Sequence, residues 1–167
     1  MSSSSHDAPE FEDPLQNYDP LEYQCLLEES LAEEPITAMT IQPCATVSPA
    51  TSIRDAIHTL RSEAISSLLV VEGDKLTGIF TLRDVLEKVA LRYSEMADNP
   101  VSDAMTKAPF VVYGTDPAGA AVAAIAVAGY RHVPVVDTDF QLLGVVSPHR
   151  VFCFMAERCN QPRPPAP

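Results

Sequence analysis

The sequence predicts an α/β protein in which two tandem β-α-β-β-α repeats pack about a pseudo-two-fold axis. Three observations carry that expectation. Ala38-Met39-Thr40 returns 66 residues later as Ala104-Met105-Thr106, and self-similarity at a fixed spacing marks a repeated supersecondary unit. Leu68-Leu69-Val70-Val71-Glu72 is matched by Val133-Pro134-Val135-Val136-Asp137 at a spacing of 65, and Gly78-Ile79-Phe80-Thr81 by Gly144-Val145-Val146-Ser147 at 66. Within each repeat, segments of helical spacing alternate with short continuous apolar runs of the kind that form strands buried on both faces. Neither unit has enough elements to cover both faces of its sheet, so the two are expected to pack together.

Residues 1–34 form an acidic arm that holds ten of the 23 acids and none of the 11 Lys and Arg. Its first twenty residues are rich in Ser, Asp, Glu and Pro with few apolar anchors, a composition that favours disorder. Asp19-Pro20-Leu21-Glu22 reads as a helix start, with Asp19 as N-cap and Pro20 in the first helical position. A helix is expected over 20–33, with Tyr23, Leu27 and Leu31 on one face, docked on the core or on a second copy. Repeat one spans 35–97: Ile53, Ala56, Ile57, Leu60 and Ala64 follow helical spacing, strands are expected at 68–71 and 76–80 around a Gly73-Asp74 turn, and a helix follows over about 81–93. Repeat two spans 98–159, with a strand near 110–113, an alanine-rich helix over about 117–128, strands at 132–136 and 142–146, and a last helix to about 159. The tail, 160–167, is proline-dense and expected to be extended and loose.

Composition narrows the function. No run approaches the ~18 apolar residues a membrane span needs, and the start has no signal-peptide pattern, so the reading is a soluble, cytoplasmic protein with no membrane partner. A formal net charge of −12 argues against binding a nucleic-acid backbone, which requires clustered Lys and Arg. Cys25, Cys44, Cys153 and Cys159 match neither zinc-site nor thioredoxin spacing, and His6, His58, His132 and His149 show no metal-ligand spacing. There is no nucleophile elbow, HExxH or GxxxxGK[ST] motif. Neither catalysis nor a metal nor a required cofactor is expected.

One segment invites a ligand. Gly78-Ile79-Phe80-Thr81-Leu82-Arg83-Asp84 is a strand ending in a helix start, where free N–H groups, Thr81 and Asp84 share one side of the first turn. A carboxylate there can accept both hydroxyls of a ribose while the threonine serves a phosphate. The same Thr-x-x-Asp pattern is close to a capping box, and helix caps far outnumber nucleotide sites, so both readings stay open. Between Lys107 and Arg150 the only Lys or Arg is Arg131, beside His132 at the start of a strand; His149 and Arg150 open the final helix. The pseudo-symmetry should bring these points to a central cleft, although surface ion pairs would explain the arginines equally well.

Over about residues 35–157 both repeats resemble CBS domains, in "ITAMTIQPCATVSPATSIRDAI…ISSLLVVEGDKLTGIFTLRDVL" and "VSDAMTKAPFVVYGTDPAGAAV…YRHVPVVDTDFQLLGVVSPHRVF". The resemblance implies a Bateman module, a non-catalytic pair with two related clefts that commonly hold AMP, ADP, ATP or S-adenosylmethionine. It implies that Asp84 binds ribose, that Thr81 contacts phosphate or ribose, and that Ile79 and Phe80 line the base pocket. Phe110 and Val111 fall where the adenine-flanking strand lies, and Arg131, His132 and His149 where phosphate contacts arise. The second cleft keeps Ser147 but has Arg150 in place of the ribose-binding Asp, an arrangement similar to the first repeat pair in the γ subunit of AMP-activated protein kinase. One working site per chain, a homodimer joined through the alanine-rich 118–128 stretch, and signalling to an unknown protein partner are the resulting expectations. The rival expectation is a ligand-free scaffold for dimerisation or docking. An accessory piece of a larger enzyme is a third reading, disfavoured because both ends look like natural loose ends.

Overall fold

The computed structural model describes residues 22–39, 41 and 44–161. Repeat one contributes β1 (Thr46–Val47), α2 (Ile53–Ser62), β2 (Ser67–Glu72) and β3 (Lys75–Thr81), preceded by α1 (Leu26–Glu33). The helical segment after β3 begins as α3 (Leu82–Asp84), passes through a π turn (Val85–Val89) and a 3-10 turn (Ala90–Arg92), and ends as α4 (Tyr93–Met96). Repeat two contributes β4 (Thr106–Lys107), β5 (Val112–Tyr113), α5 (Ala118–Ala126), β6 (Val133–Val136), β7 (Leu142–Val146) and α6 (Pro148–Cys159). The sheets run β1-β2-β3-β4 and β5-β6-β7. In each, a parallel pair (β1 with β2, β5 with β6) is followed by an antiparallel hairpin, with register breaks at Val70/Val71 and Val135/Val136.

The pseudo-two-fold axis is written in hydrogen bonds that recur at a spacing of 65. Ile36 N–H donates to Asp116 O (2.8 Å) and Val101 N–H to Thr51 O (2.7 Å); Ala118 N–H donates to Glu34 O (2.8 Å) and Ile53 N–H to Asn99 O (2.9 Å). Each segment leading into one repeat therefore lies against the other repeat. The cores show the same exchange. Ile36 and Met39 are buried with Val112, Ala118, Val133, Val146 and Phe154 of repeat two. Met96, Val101 and Ala104 are buried with Ile53, Leu60, Leu68, Phe80 and Val89 of repeat one.

Three departures from the sequence expectation have local causes. Helix α1 starts at Leu26, not at residue 20, and Glu22–Cys25 are not helical; Asp19 and the rest of residues 1–21, like 162–167 of the tail, lie outside the described residues. Strand β4 was not expected, because two residues carry no periodicity; its pairing with Gly78 and Ile79 of β3 is what forms it. The small residues of α5 meet α1 of the same chain. A Cβ on Gly119 would lie 2.9 Å from the Leu31 carbonyl oxygen, so the glycine permits this approach. Arg158 of α6 fastens the junction with two hydrogen bonds to Glu34 (2.9 and 2.6 Å) and stacks on Phe154, 4.6 Å from the ring centroid.

Candidate functional site

Strand β3 delivers Thr81 to the start of α3, where the hydroxyl accepts from Asp84 N–H (3.2 Å) and the Asp84 carboxylate accepts from Thr81 N–H (2.9 Å), a complete capping box. The cap accounts for only half of what the carboxylate does. Asp84 Oδ2 also accepts from the Thr81 hydroxyl (2.7 Å), while Oδ1 accepts from the Thr106 hydroxyl (3.0 Å) and pairs with Lys88 Nζ at 2.6 Å. Thr106 belongs to repeat two, so one carboxylate, 5% exposed, ties both repeats together. Burial works against its ionisation, but the hydrogen bonds from Lys88, Thr81 and Thr106 outweigh burial and hold its pKa below the ordinary carboxylate value.

The other expected residues separate into three places. Phe80 is fully buried in the core of repeat one and Ile79 is 8% exposed; neighbouring residues of a strand point to opposite faces, so their side chains face different ways. Phe110, half exposed, stacks on Tyr130 with ring centroids 5.2 Å apart and planes 10° apart; Val111 beside it is half-buried. His132 reaches across the repeats, with Nε2 3.4 Å from the Ser66 hydroxyl. Burial, and then the adjacent Arg131 charge, push its pKa down. Arg131 itself is exposed. His149 faces Cys153 one turn along α6, at 3.7 Å. Arg150 is half-buried, and its Nε is buried with no hydrogen-bond partner.

A cavity of about 680 Å³ opens between the repeats, lined by Ala45, Ile57 and Ile65 on an apolar side and by Arg61, Ser66, His132 and Ser147 on a polar side. It lies on the Ser147 side, the cleft expected to be degenerate, and neither Thr81 nor Asp84 lines it. The pseudo-symmetry explains this. Ala45 lies two residues before Val47 of β1, and Phe110 two before Val112 of β5; Ile65 lies three before Leu68 of β2, and Tyr130 three before Val133 of β6. Where one cleft has Ala45 and Ile65, its counterpart has two stacked aromatic rings. The open slot and the acidic residue thus occupy different clefts. Lys88, Thr106 and Tyr130 escaped sequence reasoning; Lys88 alone left a signal, as a cation four residues after an acid on a helix.

Among the described residues, no helix is long and apolar enough to cross a membrane, and no group of three His, Cys, Asp or Glu is placed to hold a metal ion. The CBS domain pattern matches residues 36–91 and 101–157. An inosine-5'-monophosphate dehydrogenase of Korarchaeum cryptofilum is 32% identical over 136 residues, covering 79% of this chain and 27% of that protein. The CBS domain-containing protein CBSCBSPB5 of Arabidopsis thaliana is 28% identical over 110 residues, covering 65% and 20%. The chain thus spans about a quarter or less of these relatives. Among solved structures, the CBS-pair protein CBSX2 of Arabidopsis thaliana in complex with AMP superposes with a TM-score of 0.64 at 25% identity, over 74% of this chain and 96% of that one. A CBS domain protein of Pyrobaculum aerophilum complexed with AMP gives 0.63 at 21% identity, over 74% and 98%. With both repeats matched and the paired architecture shared, the chain belongs to the CBS-domain family and carries two CBS domains in tandem.

Proposed function

We propose that this chain is a regulatory module that binds an adenine-containing ligand between its two CBS domains and signals its occupancy to a partner. The observation that carries the reading is the Asp84 carboxylate, held at the junction of the repeats between Thr81 of one and Thr106 of the other. CBSX2, solved with AMP, supports the ligand class. In this reading the ribose is taken by Asp84, and the phosphate lies toward Arg131 and His132. The signal is the difference in ligand affinity between two arrangements of the pair.

A second reading, a ligand-free scaffold, is favoured by the Phe110–Tyr130 stack and by the full hydrogen-bond complement of Asp84. Calorimetric titration with AMP, ATP, S-adenosylmethionine and adenosine separates the two. Asp84→Ala removes charge-assisted hydrogen bonds of about 1.5–3 kcal/mol each, so affinity is expected to fall by at least about tenfold. Arg131→Ala is expected to weaken AMP and ATP and to leave adenosine nearly unchanged. Loss of binding in Ala45→Phe with retention in Asp84→Ala would move the ligand to the open slot. No binding by the unaltered chain would leave the scaffold.

A further inference from the structure

We infer that Lys88 sets the ligand selectivity of the Asp84 cleft by holding the carboxylate oxygen that a ribose must take. The inference rests on the proposed ribose role of Asp84. An ionised carboxylate offers about four lone-pair positions, and here all four are in use. On Oδ2 both donors come from Thr81 and belong to the helix cap. On Oδ1 the donors are the Lys88 ammonium at 2.6 Å and the Thr106 hydroxyl at 3.0 Å.

A ligand therefore reaches Oδ1 only by exchange. Both donors can leave: Thr106 lies on an exposed two-residue strand and its hydroxyl can rotate away, and Lys88 has a side chain 40% exposed and a route to water. Its ammonium also donates to the Ala104 carbonyl oxygen at 2.9 Å, which gives it a partner to keep after leaving the carboxylate. A vicinal diol returns two donors to Oδ1 for the two displaced, whereas a single hydroxyl returns one and leaves a buried charged oxygen short of a partner. Lys88 thus makes Asp84 an acceptor for diols in preference to lone hydroxyls. With Lys88 removed, one position on Oδ1 is open, and a single hydroxyl binds without displacing anything.

The test is calorimetric titration of the full chain, Lys88→Met and Lys88→Gln with AMP, 2′-deoxyadenosine monophosphate and adenosine, with melting curves to establish that each variant is folded. Lys88→Met is expected to bind AMP about threefold tighter and the deoxy compound about tenfold tighter, narrowing the discrimination between them. Adenosine should shift by the same factor as AMP, because the exchange takes place at the sugar. Lys88→Gln, which keeps a donor without the charge, should fall between. Unchanged discrimination in both variants overturns the inference, as does weaker AMP binding with unaltered adenosine binding, which would make Lys88 a phosphate contact. If none of the three proteins binds AMP, the ribose reading falls and the inference with it; if the unaltered chain binds AMP and discrimination is unmoved, the inference falls alone.

Discussion

His132 is one of the side chains through which the two repeats touch, and its environment makes that contact dependent on pH. Burial first, and then the Arg131 charge, depress its pKa. In the unfolded chain the imidazole takes its proton near pH ~6.5; in the folded chain it does so only at lower pH. The unfolded state therefore binds more protons, and stability falls as pH is lowered from about 7 through the depressed folded value. Urea unfolding at about pH 7 and pH 5 is expected to show the loss in the unaltered protein and a smaller one in His132→Asn. Equal losses in both would remove His132 as its source. At this scale Thr81 and Asp84 were legible because their spacing is a motif. Whether they cap a helix or hold a ligand was not legible, since that depends on Thr106, which is 22 residues from Asp84 and adjacent only in the fold.

Among the elements, α5 shows how a legible pattern can leave its partner unnamed. The alanine-rich stretch from 118 to 128 says that something approaches closely, and the sequence expectation was a second copy of the chain. The structure puts α1 there, with the Leu31 carbonyl over Gly119 and the Glu34–Arg158 pair beside it. Because the obstacle is backbone and cannot rotate away, Gly119→Ala is expected to displace α1 and to cost about 1–3 kcal/mol. The measurement is the urea midpoint, together with hydrogen exchange over 26–33. Unchanged protection there would show that α1 is seated by other contacts. The helix after β3 was legible in position but not in winding: the π turn at Val85–Val89 leaves no mark in a pattern read at 3.6 residues per turn.

For the molecule as a whole, the tandem architecture was legible because the repeat is present in the chain itself. The unequal clefts were not, since Ala45 and Ile65 opposite Phe110 and Tyr130 acquire meaning only once the pseudo-two-fold axis aligns them. With α1 on α5, the exposed apolar residues that remain for a second copy include Leu86 (72% exposed), Leu91 (100%) and Phe152 (69%). We propose that they form the surface of a homodimer, since two-fold pairing is the commonest closed assembly. Light scattering is expected to give about twice 18.1 kDa, and Leu86→Glu with Leu91→Glu to return the single-chain mass. A mass near 18 kDa at every micromolar concentration would dismiss the dimer.

The exchange of leading segments between the repeats also fixes an order of events during synthesis. Strands β1 to β3 leave the ribosome before Val101 and Ala104, the residues that complete the core beneath them. Until those residues follow, Phe80 and Leu68 sit in a partial core and the outer edge of β3 awaits β4. A nascent chain halted after α4 therefore presents an open strand edge, the kind of surface that recruits chaperones or aggregates. Ile36 and Met39 wait longer still, for a core that is not built until β7 and α6 have emerged. Repeat one can thus complete its core as soon as Ala104 has emerged, whereas the core that holds Ile36 and Met39 closes only when α6 covers a segment made well before it.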